Sequence, residues 1–339
     1  MSILVTGGLG FIGLNFIKEI LRQNFNIINL DLQTYAANIN YINELKELKN
    51  LILLKGNICD LTLLEKIFKE NNIQGVIHFA AETHVDNSIS GPSAFIETNI
   101  TGTFNLLEAA RTHWMNSPFN YKDGYENRRF LHISTDEVYG SLGESGYFTE
   151  ESSYAPNSPY SASKASSDML VRSYHHTYGL NTIITNCSNN FGPYQHDEKL
   201  IPTVIRAALN LQLIPVYGDG SNVRDWLYVG DHCNALKVIF EEAKPGSHYN
   251  IGGNNEKSNL EIVEIICNLL DILIPSSKLT SYKELITFVK DRPGHDQRYA
   301  IDASKLKREL GWKPSDNFEV NLMKTIRWYI NKYGFTPVC

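Results

Sequence analysis

The sequence predicts an α/β protein, a doubly wound parallel sheet with a smaller C-terminal domain. Three observations carry that prediction. Short apolar runs alternate with amphipathic, helix-length stretches through residues 1–189, the pattern of repeated strand–helix–strand units. The first run, residues 2–6, passes directly into a turn with glycines at 7, 10 and 13. The second, residues 26–30, ends on an acidic residue, Asp31.

Each element follows from its residues. The turn Gly7-Gly8-Leu9-Gly10-Phe11-Ile12-Gly13 opens an amphipathic helix running to about residue 22. Small residues let a backbone approach a pyrophosphate, and a helix start offers unpaired N–H groups and a positive dipole. The spacing is G-x-x-G-x-x-G rather than G-x-G-x-x-G, so alone it also fits a glycine-rich corner with no ligand. Asp31, taken alone, reads as an exposed turn residue. After a glycine turn and a second strand, it is placed to accept hydrogen bonds from an adenine ribose and to repel a 2′-phosphate, which predicts NAD over NADP.

The rhythm continues. Residues 51–54 form a strand leading to Gly56-Asn57-Ile58-Cys59-Asp60 and a helix from about Leu61. Residues 75–79 form another, leading to Ala80-Ala81-Glu82-Thr83-His84. A helix over 98–114 places Asn99 either inward or near the cofactor, and the polar stretch 116–128 reads as an irregular surface excursion. Strands at 130–134 and 182–187 bracket a helix from Pro159 that ends at Gly179. Beyond Pro193 the alternation loosens. Helices are expected near 200–210, 231–243, 258–272 and 318–333, and Lys290 to Arg298 reads as a charged loop. The division that follows is a Rossmann-type domain over 1–189, to which the chain returns near 226–250, and a second domain from 190–225 and 251–339.

Two stretches carry chemistry. In Ser134-Thr135-Asp136-Glu137-Val138-Tyr139-Gly140, adjacent carboxylates sit where a buried strand ends. Neighbours in a regular strand point to opposite faces, so both carboxylates serve one pocket only if the strand stops near Ser134 and the chain bends. In Ser158-Pro159-Tyr160-Ser161-Ala162-Ser163-Lys164, Ser158 is a helix cap and Pro159 the first helical residue. Tyr160 and Lys164 then share one helical face, and a nearby cation favours phenolate. Each pair alone is common on solvated surfaces; their coincidence in one chain with the glycine turn and Asp31 is what points to an enzyme.

Composition narrows the class. The 339 residues are 42% hydrophobic and 20% charged, with a net charge of −6 and no basic cluster, which argues against a nucleic-acid partner. The five cysteines are scattered, with no C-x-x-C pair for a disulfide framework or a metal site. No apolar run approaches the roughly 20 residues of a membrane span. A strand beginning at Ser2 leaves no room for a leader peptide, so the expectation is a cytoplasmic protein.

Together these motifs resemble the extended short-chain dehydrogenases/reductases. Within them, Thr135-Asp136-Glu137-Val138-Tyr139-Gly140, His78 to Asp86, Cys187-Ser188-Asn189-Asn190, Lys199-Leu200-Ile201-Pro202, Arg224 to Val229 and Asp291 to Asp296 are similar to the dTDP-glucose 4,6-dehydratases. The resemblance covers nearly the whole chain. It implies NAD contacts from the turn (Gly7, Gly10, Phe11, Ile12, Gly13) and from Asp31, Leu32, Gln33 and Thr34. It adds Asn57 and Ile58, then Phe79, Ala80, Ala81 and Thr83, then Thr98, Tyr160, Lys164 and Asn190. It implies substrate contacts at His84, Thr135, Asn189, Lys199 and Leu200, and at Pro215, Tyr217, Arg224, Asn259, Arg292 and His295. Cys187 reads as buried and inert, and Arg224 and Arg292 also fit structural ion pairs. The chain departs from the family pattern at Ala37, Asn57, Asp197 and Gly230; the Asn57 carbonyl can still accept from an adenine amine.

The same resemblance implies a mechanism in which Tyr160, Lys164, Thr135, Asp136 and Glu137 are catalytic. Oxidation at C4 is followed by loss of water across C5–C6 and hydride return to C6, with NAD as cofactor. It further implies a homodimer through the helices near 98–115 and 160–178, and a place on the route to dTDP-rhamnose and other deoxysugars. A nucleotide-sugar 4-epimerase needs the tyrosine and lysine but no paired acid and base, so Asp136-Glu137 speaks against it. Dehydration of UDP-glucose stays open, since thymidine and uridine differ by one methyl group in the base.

Overall fold

The computed structural model describes residues 2–20, 25–291 and 294–337. The chain opens as predicted, with β1 (Ser2–Thr6), α1 (Phe11–Ile20) and β2 (Asn26–Asp31). The expected end of the first helix near residue 22 lies outside the described residues. A 3-10 turn at Ile39–Tyr41 and the short α2 (Ile42–Lys46) lead to β3 (Leu51–Lys55), α3 (Leu61–Glu70) and β4 (Ile73–His78). Asp60 caps α3, its carboxylate accepting from the Leu63 N–H at 3.0 Å.

The next helical run begins earlier than residue 98. It consists of α4 (Val85–Ser90), α5 (Ser93–Phe95), a π-helical stretch at Ile96–Gly102 and α6 (Thr103–Trp114). The stretch expected to be irregular contains a hairpin, β5 (Met115–Ser117) with β6 (Asn120–Tyr121). Its strands are too short to show alternation. They are held by tertiary bonds instead: the Phe119 N–H donates to Tyr178 O at 2.7 Å, and Tyr121 Oη accepts from the Asn181 N–H at 2.7 Å.

The catalytic stretches lie on β7 (Arg129–Thr135), a 3-10 turn at Asp136–Tyr139, and α7 (Pro159–Tyr178). Ser158 caps α7 reciprocally with Ser161, and Gly179 closes it at φ 75°. Then come β8 (Thr182–Cys187), β9 (Asn189–Phe191), α8 (Leu200–Leu209), β10 (Ile214–Tyr217), β11 (Val223–Tyr228), α9 (Val229–Glu242), β12 (His248–Ile251), β13 (Glu256–Ser258) and α10 (Asn259–Leu273). A 3-10 turn at Tyr282–Leu285, β14 (Ile286–Val289), α11 (Ser304–Leu310) and α12 (Phe318–Lys332) complete the described chain. The sequence reading had placed no helix over α2 or α11.

Seven parallel strands form the central sheet in the order β12-β8-β7-β4-β1-β2-β3. The order reverses between β1 and β4, so the loops leaving these two strands diverge and open a crevice at their carboxyl ends. Both faces are covered. Ile3 and Val5 pack with α1 and α9 on one side. Leu4, Ile28 and Phe130 pack with α3, α6 and α7 on the other. Burial of each such aliphatic side chain contributes about 1.5–3 kcal/mol. A separate apolar cluster joins Trp226 to residues of α8, α10 and α12. The register lines up strand ends: Thr6 lies opposite Leu30 and His78, and Thr135 opposite Cys187. The residues that follow each strand therefore meet along one edge.

Candidate active site

The glycine turn is shaped for close approach. Gly7 has φ +71°, and a Cβ there would sit 2.6 Å from Ala80 N. A Cβ on Gly13 would sit 2.4 Å from Gly7 O. Side chains from β2 pin the turn: Asn29 Oδ1 accepts from the Gly8 N–H at 3.0 Å, and Asp31 Oδ2 accepts from the Leu9 N–H at 2.9 Å. The other Asp31 oxygen accepts from the Gln33 N–H at 2.7 Å. Burial pushes the Asp31 carboxyl upward, and these two backbone donors oppose that shift. Each oxygen keeps a lone pair for a further donor. Asn57 Oδ1 already accepts from the Cys59 N–H at 2.9 Å, leaving one acceptor position there.

Residues 80–83 after β4 are held by Asn99, which lies inward, the first of the two places expected for it. Its amide donates to Glu82 O at 3.0 Å and to Ser163 Oγ at 2.8 Å, and accepts from the Glu82 N–H at 2.8 Å. One side chain of the π-helical stretch thus ties the β4 loop to the catalytic helix.

The strand carrying the paired carboxylates stops at Thr135 and bends at once. Thr135 Oγ1 accepts from the Glu137 N–H at 3.3 Å and so caps the 3-10 turn. Both carboxylates line one cleft as a result, Asp136 fully buried and Glu137 half-buried. Asp136 Oδ1 receives the Thr135 hydroxyl at 3.3 Å, while Oδ2 is buried with no hydrogen-bond partner. Burial, and then the charges of Glu137 and Asp225, push the Asp136 carboxyl well above the usual range, and Arg224 opposes them. Burial and the neighbouring carboxylates thus favour the neutral form of this group.

Tyr160 and Lys164 are both buried on the cleft side of α7. Lys164 donates to Ile133 O at 2.9 Å and approaches His132 Nε2 at 3.5 Å. Burial pulls its ammonium down to about 8, against the attraction of Asp168. The Tyr160 phenol departs from the expectation of an acidity raised by Lys164. Burial and then Glu137 push it well above its ordinary value, and the group that opposes them is the Thr135 hydroxyl. The lysine is itself desolvated, so within the chain alone its charge does not offset the phenol's loss of water.

A single cleft of about 320 Å³ gathers these parts. All five expected catalytic residues line it, with Gly7, Gly10 and Gly13 of the turn, Asp31, Asn57, Phe79, Ala80, Thr98 and Asn190. Phe11, Ile12, Leu32, Thr34, Ile58, Ala81 and Thr83 line it as well; Gln33 does not, although its N–H fixes Asp31. Among the expected substrate contacts, Thr135, Asn189 and Lys199 line the cleft, and His84 and Leu200 flank it in sequence. Lys199 reaches Thr83 O at 3.2 Å, and His84 Nε2 lies 3.7 Å from Glu198. The others gather elsewhere. Pro215 and Tyr217 lie on β10, and Asn259 opens α10 with its N–H on Asn222 O at 3.0 Å. His295 pairs with Asp291 at 2.7 Å. Arg224 is buried, donating to Val223 O and Asp296 O at 2.7 and 3.0 Å and stacking on Tyr299 at 4.3 Å. Its charge also acts on Asp136, which ties this second group to the acid. Arg292 lies outside the described residues. Cys187 is buried and its thiol is pushed up by burial, as expected of an inert cysteine.

The departures from the family pattern acquire partners or a place. Asp197 accepts from Lys332 Nζ at 2.7 Å and Tyr333 Oη at 2.8 Å, tying the cleft's rim to α12, and Ala37 lines the cleft.

Sequence reading missed the buried polar group behind Lys164. His132 Nε2 lies 3.1 Å from Asp168, which also accepts from Tyr154 Oη at 3.0 Å and Asn186 at 3.2 Å. One signal was available, since Asp168 follows Lys164 by four residues on the same helix face.

Comparison with known proteins decides among the enzymes such a site fits. A model of the GDP-mannose 4,6 dehydratase family matches residues 4–325. The dTDP-glucose 4,6-dehydratase of Xanthomonas campestris pv. campestris (strain B100) is 53% identical over 327 residues, covering 96% of this chain and 92% of that protein. The chain belongs to the dTDP-glucose 4,6-dehydratase family. Two solved members share its fold. The dTDP-glucose 4,6-dehydratase of Bacillus anthracis str. Ames, in complex with NAD, is 45% identical with a TM-score of 0.85, over 99% of this chain and 98% of that one. That of Streptomyces venezuelae, with NAD and a second ligand bound, is 42% identical with a TM-score of 0.88, over 98% of each. Family membership agrees with the extended short-chain dehydrogenase/reductase reading and with the doubly wound sheet.

Proposed function

We propose that this protein converts dTDP-glucose to dTDP-4-keto-6-deoxyglucose, with NAD as its resident cofactor. The observation that carries the reading is the Thr135-Asp136-Glu137 turn. It sets two carboxyls, one buried with its neutral form favoured and one half-buried, beside Tyr160 and Lys164 in one cleft. The cradle fits the cofactor: glycines at 7 and 13, where a Cβ would meet neighbouring backbone, keep the turn tight at the head of α1, and Asp31 presents acceptors to a ribose. Gly7, Gly10, Gly13, Asp31, Asn57, Thr98, Tyr160, Lys164 and Asn190 would hold it. When bound, NAD supplies a temporary hydride store.

The chain's own residues do the proton work. Tyr160 takes the proton of the sugar 4-OH as C4 is oxidised, which requires the bound cofactor, with Lys164, to lower a phenol that burial raises within the chain alone. Thr135 hydrogen-bonds the sugar near C4. The C4 ketone makes the C5 proton acidic, and Glu137 removes it. Asp136 gives its proton to the departing 6-OH, which requires the neutral form that burial favours. Glu137 then returns the proton to C5. Arg224, Tyr217, Asn259, Arg292 and His295, with His84, Asn189, Lys199, Leu200 and Pro215, hold the nucleotide and sugar.

The same reading assigns NAD binding to residues 1–189 and the return near 226–250, and nucleotide-sugar binding to 190–225 and 251–339. Exposed Ile96, Phe104 and Met169 on the helices near 98–115 and 160–178 support a homodimer. Free thiols at Cys59, Cys187, Cys233 and Cys267 suit a cytoplasmic enzyme serving dTDP-rhamnose and related deoxysugar synthesis. Among the described residues no helix is long and apolar enough to cross a membrane.

The test is a panel of dTDP-, UDP-, GDP- and CDP-glucose, with products read by mass. The expected result is loss of water from dTDP-glucose, with deuterium moved from C4 to C6 and solvent deuterium at C5. An inverted C4 hydroxyl with no water lost would establish an epimerase, and preference for UDP-glucose would reassign the base.

A further inference from the structure

A cation that must stay charged inside a protein needs a negative partner, and we infer from the geometry that Asp168, across the imidazole of His132, is the counter-ion that keeps Lys164 charged. Asp168 is not among the residues that line the cleft. It is a positioning residue, acting on the reaction through Lys164. The inference rests on the dehydration reading, in which the Lys164 charge helps bring the Tyr160 phenol to the form that takes a proton.

Lys164 is 3% exposed, and its ammonium donates to a neutral acceptor, Ile133 O, at 2.9 Å. A buried ammonium with no counter-charge gives up its proton. Behind it, His132 Nε2 lies 3.5 Å from the ammonium and 3.1 Å from Asp168 Oδ1. One ring nitrogen therefore separates the two charges, by at most about two hydrogen-bond lengths. That is close to the roughly 4–6 Å over which an opposite charge favours the charged form. Asp168 is buried as deeply as the lysine, and its surroundings suit a carboxylate. Oδ2 accepts from Tyr154 Oη at 3.0 Å and from the Asn186 amide at 3.2 Å. That amide is fixed from two other sides, its nitrogen donating to Thr135 O at 2.8 Å and its oxygen facing His248. Oδ1 makes no hydrogen bond among the described residues and lies toward His132.

The other titratable groups around Lys164 are less suited to the task. Burial pulls His132 on β7 and His78 on β4 well below the usual histidine range, so both rings stay neutral. Burial pushes the Cys187 thiol on β8 up. Across the cleft the neutral form of Asp136 is favoured, and the charge of Glu137 bears on Asp136 and on the Tyr160 phenol. On its far side Asp168 lines a second cavity of about 230 Å³ with Glu150, Arg172, His175, His176 and His248. Burial pulls His248 down to about 4, and these outer groups are unchanged in every variant below. The attraction of Asp168 is what opposes burial at Lys164. The helix also sets the order of the charges. At 1.5 Å rise per residue, Lys164 is about 6 Å and Asp168 about 12 Å along α7 from Tyr160, so the phenol feels the cation more than its counter-ion.

The test follows turnover of the full-length, NAD-loaded protein with saturating dTDP-glucose over a pH series. Wild type should lose rate on the alkaline side as Lys164 deprotonates. Lys164→Arg, slow but permanently charged, should lack that fall. Asp168→Asn should bring the fall to lower pH by about one unit, the scale of a lost opposite charge. Its rate should be about tenfold below wild type on the alkaline side and regain most of that difference as pH is lowered. A merely structural loss would slow the enzyme equally at every pH. An alkaline fall in Asp168→Asn that coincides with that of wild type therefore overturns the inference. So does a fall that persists in Lys164→Arg, which would assign it to another group. Should Asp168→Asn fail to fold, Asp168→Ser removes the same charge with a smaller side chain and carries the same two outcomes. A wild-type protein that eliminates no water from dTDP-glucose would remove the dehydration reading itself, a failure distinct from these.

Discussion

Replacing Asp136 with asparagine should make the protein more stable while nearly abolishing its activity. The side chain is 1% exposed, accepts one long hydrogen bond of 3.3 Å from Thr135, and has a second oxygen with no partner. Burial opposes its charge, and Glu137 and Asp225 add to that opposition. The folded protein therefore holds this proton more tightly than the unfolded chain does. For a carboxyl raised in this way, the stabilising contribution is fully present below the unfolded value of about 3.9 and is lost as pH rises through the folded value. Asparagine keeps the shape and does not titrate. A buried, poorly satisfied polar group costs about 1–3 kcal/mol, more when charged, so Asp136→Asn should gain about that much at the alkaline end and almost nothing near pH 4. Thermal or urea unfolding of both proteins at a series of pH values reads the difference, with a shift in Tm of a few degrees. Turnover should fall by about 10²–10⁴ for a lost general acid. A variant less stable than its parent at every pH, or a stability difference that does not grow with pH, would refute the reasoning.

Three further outcomes follow from the same geometry. Glu137→Gln cannot take the C5 proton, so dTDP-glucose should still produce the near-ultraviolet absorbance of reduced nicotinamide, which then persists while water loss nearly stops. Absence of that absorbance would assign Glu137 to the oxidation step instead. Tyr160→Phe removes the base for the first step; no such absorbance should appear, turnover should drop by about 10²–10⁴, and full activity would make the Tyr160–Lys164 pair structural. Asp31→Ala should weaken NAD, measured by calorimetry, more than it weakens a dTDP-sugar, and a wild-type protein that binds NADP as well as NAD would contradict the role given to Asp31.

Much of the site was legible because local rules place it. The bend after Thr135 follows from asking two adjacent carboxylates to face one way. The start and end of α7 follow from Ser158, Pro159 and Gly179, whose backbone preferences need no tertiary help. What was hidden depends on contacts across the fold. The π-helical stretch at Ile96–Gly102 leaves no periodic signature, yet it carries Asn99, which holds the β4 loop. The hairpin at residues 115–121 exists because Tyr121 and Phe119 bond to the far end of α7. The acidity of Tyr160 could not be read from its spacing to Lys164, because burial reverses the direction that charge alone suggests. Buried Arg224 serves backbone carbonyls and an aromatic face at once, a combination with no sequence pattern.

The order of strands in the sheet also bears on how the chain is made. β8 forms one side of its pairing with β7 early, but its other edge waits for β12, and residues 188–247 must emerge from the ribosome first. During synthesis that edge, all apolar or polar-neutral and buried in the finished protein, stands open to pairing with any passing strand. A chain cut after residue 189 would keep this edge exposed permanently and would lack α9 against α1. The cofactor half is therefore not a separable module: its last structural piece is delivered by the part of the chain that follows it.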